Sequence, residues 1–427
     1  MFSSLKTWKC FVFMAGAFVV LSSAKLHAQA TLLLEEPYSY DGMFAGTGHA
    51  AVYLSRVCAD SPTVLRRCNP GETGVVISRY HRVTGRDWIA IPLMPYLYAV
   101  NNAEDIPLVA DPKIVAFLRQ DYLERIGITD SSAYQLAGSA YNRTSYGFRI
   151  ATRPEQDDEL IRILNASPNS ESYRLFSRNC ADFVRQIINF YYPKAIHRSI
   201  IADLGVTTPK QSAKSLAHFA KHHPEMQLTT FIIPQVPGLK RSKPVHGVIE
   251  SLVLAKKYVT PVLLFHPFLV GTAEAAYWAG WRFNPGKGAL IFDPSYGGQA
   301  GGLEMPLTAH QRRSFARSVS AWKREDGEMD STHWRKLQAG ADPQLDAAGR
   351  PMLRMQVAES TFQIGLCPGN VLRLNAPPEF AEQLLLSRLE QELKPKPARI
   401  SERQVKNDWN LLERAMETRK SALTAQR

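Results

Sequence analysis

Two stretches decide how this chain is read. The first is Gly46-Thr47-Gly48-His49-Ala50-Ala51-Val52-Tyr53-Leu54, and the second, far downstream, is Ser177-Arg178-Asn179-Cys180-Ala181-Asp182-Phe183-Val184. In the first, a glycine-containing turn feeds a short apolar strand that starts at the histidine. In the second, Asn179 is a good N-cap and Cys180 stands in the first turn of an amphipathic helix. The apolar face of that helix is Val184, Ile187, Ile188 and Tyr191. A thiol needs a base and a positive environment to attack a carbonyl at neutral pH. Free N–H groups and the macrodipole at a helix start lower a thiol's pKa and can hold a developing oxyanion. Strand alternation puts His49, Ala51 and Tyr53 on one face, with the small Ala51 leaving room between two rings. Tyr53 is then placed to donate to an oxyanion or simply to pack.

Outward from these stretches, residues 74–83 and 88–93 read as further strands, rich in β-branched and aromatic residues. Asp111-Pro112 opens a helix that Gly127 closes, and 155–164 form a shorter acidic helix. Residues 211–222 read as a helix and 228–233 as a strand. The segment 234–244 carries three prolines and the basic patch Lys240, Arg241 and Lys243, which marks a boundary. Residues 258–281 are 24 positions without Lys, Arg or Asp, interrupted by Pro261, His266, Pro267 and Glu274. They read as a buried helical hairpin or a membrane-entering segment. Residues 331–374 look β-rich, 379–393 form an amphipathic helix, and the chain from Lys394 is a charged helix or tail.

The first thirty residues look like a secretory signal peptide. Lys6 and Lys9 precede an apolar run from Cys10 to Leu21, and Ala28-Gln29-Ala30 matches a cleavage pattern. Cleavage there starts the mature chain near Thr31 and sends it to the periplasm or exterior. About 397 residues remain, and the net charge falls from +12 to +9. A basic exported protein fits anionic envelope material, whereas nucleic acid is a poor fit because the chain carries no nucleic-acid motif. The organisation expected is 1–30 signal peptide, 31–235 thiol domain, 236–300 apolar helical segment, 301–393 small α/β region and 394–427 charged helical tail. Of the four remaining cysteines, Cys58 and Cys68 bracket a polar loop and are a disulfide candidate in an oxidising compartment. That pairing leaves Cys180 without a local partner, and Cys367 before Pro368-Gly369 reads as structural.

The pair Gly48-His49-x-x-x-Tyr53 and Asn179-Cys180-x-x-Phe183-Val184 resembles the circularly permuted branch of the papain-like NlpC/P60 superfamily. Lecithin:retinol acyltransferase-like proteins and several bacterial envelope hydrolases belong to it. The resemblance covers 31 to about 235 and rests on two motifs in the permuted order, histidine before cysteine. It implies an α+β fold with a small antiparallel sheet packed on the cysteine helix, followed here by a C-terminal helical and β-containing region. It also implies Cys180 as nucleophile, His49 as general base and a third polar group from the next strand. That strand offers Ser78, Tyr80 and His81, of which His81 is the choice by chemistry, because one imidazole can orient another. The Gly-Asp pair that many bacterial members carry before the histidine strand is absent. Glu35, Glu36 and Asp41 stand nearby and read as a polar rim.

His218, His222 and His223 with Glu225 have metal-like spacing on a helix end, but a basic helix C-terminus explains them without a metal. His246 and His266 read as structural. The sequence therefore leads to an exported thiol hydrolase or acyltransferase acting on peptidoglycan peptides or lipids, with no cofactor and no metal. Its competitors are a papain-like module without activity, serving binding or assembly, and a membrane-embedded transport component.

Overall fold

The computed structural model describes residues 28–425 except 39–44, 82, 84, 130, 171–172, 255–264, 277–282, 297–301, 326–341, 346–350, 358–359 and 366–377. Strands follow in chain order as β1 (Ala28–Glu35), β2 (His49–Leu54), β3 (Val57–Ser61), β4 (Val64–Arg67), β5 (Val75–Ser78), β6 (Ile89–Pro92), β7 (Ser145–Thr152), β8 (Thr229–Ile233), β9 (Leu290–Phe292) and β10 (Leu303–Glu304). Among the helices are α1 (Leu93–Tyr98), α2 (Pro112–Arg125), α3 (Ser139–Asn142), α4 (Pro154–Ala166), α5 (Cys180–Tyr191), α6 (Ile200–Asp203), α7 (Pro209–Phe219) and α8 (Val248–Leu254). The fold is α+β. Its centre is an eight-stranded sheet in the order β10-β9-β8-β7-β1-β2-β5-β6, antiparallel except for the parallel pair β8 and β9.

This sheet is larger than the small antiparallel sheet expected from the sequence. β9 and β10 reach it from beyond residues 234–244, so the main sheet draws on both sides of that proline-rich segment. Apolar side chains alternate along the central strands and fill both faces. Leu32, Leu34, Ala50, Val52 and Ile77 pack on α5 and α7, through Ala181, Val184, Ile187 and Leu216. Leu33, Ala51, Tyr53 and Val76 pack on the other side, against Tyr96, Leu97, Ile114, Leu118 and Tyr141 from α1, α2 and α3. Two-sided burial explains the near-continuous apolar run of β1.

Local signals place the helices well. Asp111 accepts from the N–H groups of Lys113 (2.8 Å) and Ile114 (3.4 Å), and Pro112 occupies the first turn of α2. The cleavage pattern Ala28-Gln29-Ala30 forms the first three residues of β1, paired with Thr152, Ala151 and Ile150 of β7. A chain starting at Thr31 keeps five pairs on each side of that strand, from Thr31 to Glu35. The apolar segment 1–27 lies outside the described residues, as do Asp41 and Cys367.

Beyond the sheet, β11 (Asp342–Leu345), β12 (Pro351–Val357) and β13 (Ser360–Gly365) form a three-stranded antiparallel sheet. The charged end takes the helical alternative, with one face buried and not solvated. Helix Glu402–Ala425 buries Val405, Leu412 and Ala415 against Leu385 and Leu389 of helix Pro378–Leu393. Within 258–281 the described residues are 265–276, of which Pro267–Ala276 form a helix, and Phe265 and Phe268 stand 78% and 83% exposed; the rest of the expected hairpin lies outside the described residues. No described helix is long and apolar enough to cross a membrane.

Cys58 of β3 and Cys68, the residue after β4, form a disulfide, ten positions apart. By the chain-entropy account, closing so short a loop stabilises the fold by about 3 kcal/mol. The double variant Cys58→Ser/Cys68→Ser should therefore lower the urea midpoint by that equivalent. Dithiothreitol should reproduce the loss in the wild type and leave the variant unchanged.

Candidate active site

The histidine is placed by a turn that only glycine allows. Gly48 has φ +72°, and a Cβ there would lie 2.1 Å from the Glu35 carbonyl oxygen. His49 follows as the first residue of β2, paired in register with Glu35 of β1. Its ring stacks on Tyr80 with centroids 5.0 Å apart. Its Nε2 lies 2.9 Å from the Ser78 hydroxyl, which itself donates to the Ala50 carbonyl at 2.7 Å. A hydroxyl has one proton, and here the carbonyl takes it. His49 Nε2 must then carry the hydrogen and donate to Ser78 Oγ. The neutral ring is fixed as the Nε2–H tautomer, and Nδ1 is left as the basic nitrogen.

Ser78 thus fills the orienting position for which the sequence favours His81. β5 ends at Ser78, so strand alternation no longer governs residue 81. His81 lies exposed with its ring edge-on to Tyr173, 5.2 Å between centroids. Tyr53 also has another task. Its hydroxyl donates to the Thr73 carbonyl at 2.6 Å. Four residues along the strand from His49, on the order of 13 Å away, it is a packing residue and not an oxyanion donor.

Cys180 is the first residue of α5. Asn179 accepts from Asp182 N at 2.9 Å, and the Asp182 carboxylate reaches back to Asn179 N, completing a capping box. The Asn179 amide donates to the carbonyls of Leu175 (2.8 Å) and Thr207 (3.0 Å), which ties two loops to this helix start. Behind it lies an ion pair. Arg79, 1% exposed, donates to Asp87 through Nε (2.6 Å) and Nη2 (2.9 Å) and to the Asn179 carbonyl at 3.4 Å. The same guanidinium covers the Phe183 ring, and Arg178 adds a second pair to Asp87 at 2.7 Å.

By alternation His49 belongs to the sheet face opposite α5. The two segments converge because each candidate residue begins its element. The Cys180 sulfur sits where the N–H groups of Ala50, Ala181 and Cys180 itself can donate to it, and Ala50 adjoins His49. The sequence leads one to expect a lowered thiol pKa, but burial outweighs these donors and pushes the thiol up to about 11. His49 keeps an edge open to solvent, yet the packing around it, with the Arg143 charge second, pushes the imidazole down to about 3. The resting pair is a neutral thiol and a neutral imidazole.

A buried polar network backs the histidine. Glu35 is fully buried, accepts from the Tyr96 hydroxyl at 2.6 Å and pairs with Arg143 at 3.0 Å. Arg143 in turn covers the Tyr38 ring. Glu36 is also buried, held by Tyr146, Ser242 and Arg399. Neither glutamate is part of a solvated rim. Sequence reasoning had no sign of Arg143, because its role follows from a β1–β7 register between residues more than a hundred positions apart. Arg79 lies within the strand-like run 74–83, where no local signal marks it as half of a buried ion pair.

The histidine cluster makes local contacts. His218 and His222 meet edge-on, Phe219 stacks on His223, and His223 pairs with Glu225 at 2.8 Å. His246 pairs with Glu250, and His266 is exposed. The metal-like grouping found among the described residues is Cys58, Cys68 and Glu72, and its two sulfurs are joined in the disulfide.

No protein-family profile, no curated protein and no solved structure matches this chain.

Proposed function

We propose that the chain is an exported, papain-like thiol hydrolase or acyltransferase that works on an amide or ester of the cell envelope, a peptidoglycan peptide or a lipid. One observation carries the reading. Ser78 holds the His49 ring with Nδ1 free as a base, at the strand end where the Cys180 sulfur meets the Ala50 N–H. In the first step the sulfur attacks the carbonyl carbon while the thiol proton passes to Nδ1. The N–H groups at the start of α5 can hold the oxyanion. The C–N or C–O bond then breaks, the leaving group takes the proton from Nδ1, and a thioester remains on Cys180. Water or an alcohol acceptor attacks that thioester, His49 removes its proton, and the thiol is regenerated. The Cys58–Cys68 disulfide supports an oxidising compartment.

A module without activity is the second reading, and the neutral resting pair favours it. The two separate on exposure to an activated aryl ester. An enzyme gives a burst of phenolate and an acyl adduct on Cys180 by mass spectrometry, and Cys180→Ser abolishes both. Ser78→Ala should slow acylation by about a hundredfold, since a misplaced base costs that much. No burst and no adduct across a range of acyl chains would leave the binding module.

A further inference from the structure

Eleven large apolar side chains are exposed among the described residues, and six of them lie on three segments beside or linked to the start of α5. Leu175 and Phe176 (38% and 60% exposed) sit on the loop that precedes Cys180. Ile200 and Leu204 (79% and 62% exposed) sit on and just after α6. Phe265 and Phe268 lie beyond α8.

The ties to the cysteine helix are explicit. Asn179 binds the carbonyls of Leu175 and Thr207, and Asp182 accepts from Thr207 Oγ1 (2.5 Å) and Arg198 Nη2 (2.9 Å). Asp203, 1% exposed, accepts from the Val248 N–H that opens α8.

The polarity of α6 is inverted. Asp203 at its end faces the protein, while Ile200 at its start and Leu204 just after it face water, the reverse of an ordinary surface turn. Leu204 holds this position in the left-handed region, φ 53°, where an L residue with a bulky side chain is strained. The formal charges exposed on 173–178 and 193–206 are basic, from Arg174, Lys194 and Arg198, of which Arg198 pairs with Asp182, and the acid within these segments is the buried Asp203.

We propose that the loops around the start of α5, with Ile200 and Leu204 at their centre, dock on an anionic phospholipid bilayer. Apolar side chains enter the interface while Lys194 and Arg174 meet headgroup phosphates. This deepens the thiol-enzyme reading by setting Cys180 at a lipid surface, but the docking is measured without turnover.

The test is flotation of the full chain carrying Cys180→Ser with vesicles of phosphatidylglycerol and phosphatidylcholine, at low and high salt. Binding is expected at low salt, weaker at high salt, and weak to phosphatidylcholine alone. Ile200→Ser with Leu204→Asn, two exposed positions, should cut binding about tenfold or more at unchanged melting temperature. Lys194→Glu should weaken binding and flatten its salt dependence, and Phe268→Ser serves if the double variant melts early. Undiminished binding by all three variants overturns the proposal, as does no binding of the parent chain. A concentration-dependent dimer broken by the double variant, with no flotation, overturns it in favour of a second copy. Loss of acylation with docking intact would sink the enzyme reading alone.

Discussion

Asp87→Ala is expected to destabilise the fold by about 3–5 kcal/mol, the usual loss when one partner of a buried ion pair is removed. Arg79 would be left charged and 1% exposed, and among the described residues the Asn179 carbonyl at 3.4 Å would remain to accept from it. Arg178 would lose its pair with Asp87 as well. The damage should reach the site, because Arg79 spans β5, the Asn179 carbonyl and the Phe183 ring of α5. Urea unfolding reads the loss directly. The double variant Arg79→Met/Asp87→Leu removes both charges and keeps apolar volume, so it should recover most of the stability. A single variant within about 1 kcal/mol of wild type, or a double variant as weak as the single, would show that this pair does not hold the cysteine helix.

Cys180 in the folded protein should react with iodoacetamide about a hundredfold or more slower at pH 8 than the same thiol in urea. The thiolate is the reactive form, and a group titrating near 11 is almost wholly protonated at pH 8. The rate should climb about tenfold per pH unit towards 11, with no inflection between 5 and 7, because His49 titrates near 3. A preformed thiolate–imidazolium pair predicts the opposite: fast alkylation, level from about pH 5 to 8, that disappears in His49→Ala. That result would overturn the neutral resting pair. Stability should follow the same thiol. The unfolded chain loses this proton near pH 9 and the folded chain near 11. The thiol's contribution of about 3 kcal/mol is therefore present below 9 and lost as the pH rises to 11.

The histidine strand, the cysteine helix and its cap, α2 with Asp111, and the Cys58–Cys68 pairing were all legible in the sequence. Each depends on neighbours within about ten positions: a glycine turn, an N-cap, a proline in a first turn, a short loop. The choice of His81 failed because it assumed that β5 continues past Ser78, and strand ends are set by pairing with other segments. The polar rim failed because Glu35 and Glu36 lie between β2 and β7, and burial of that kind comes from strand order.

By itself, the sequence determined the candidate residues and the elements they begin, since capping, turn formation and apolar periodicity act over a few residues. Only the tertiary structure decided what those residues are like. It packed α5 on the face opposite the His49 side chain and brought the sulfur to the Ala50 N–H at the strand end. It gave the histidine Ser78 as its hydrogen-bond partner and so left Nδ1 as the unprotonated nitrogen. It also reversed the expected thiol shift. A helix start favours a thiolate through a few local N–H groups, whereas desolvation sums over every atom packed around the sulfur, and in this fold the larger sum prevails.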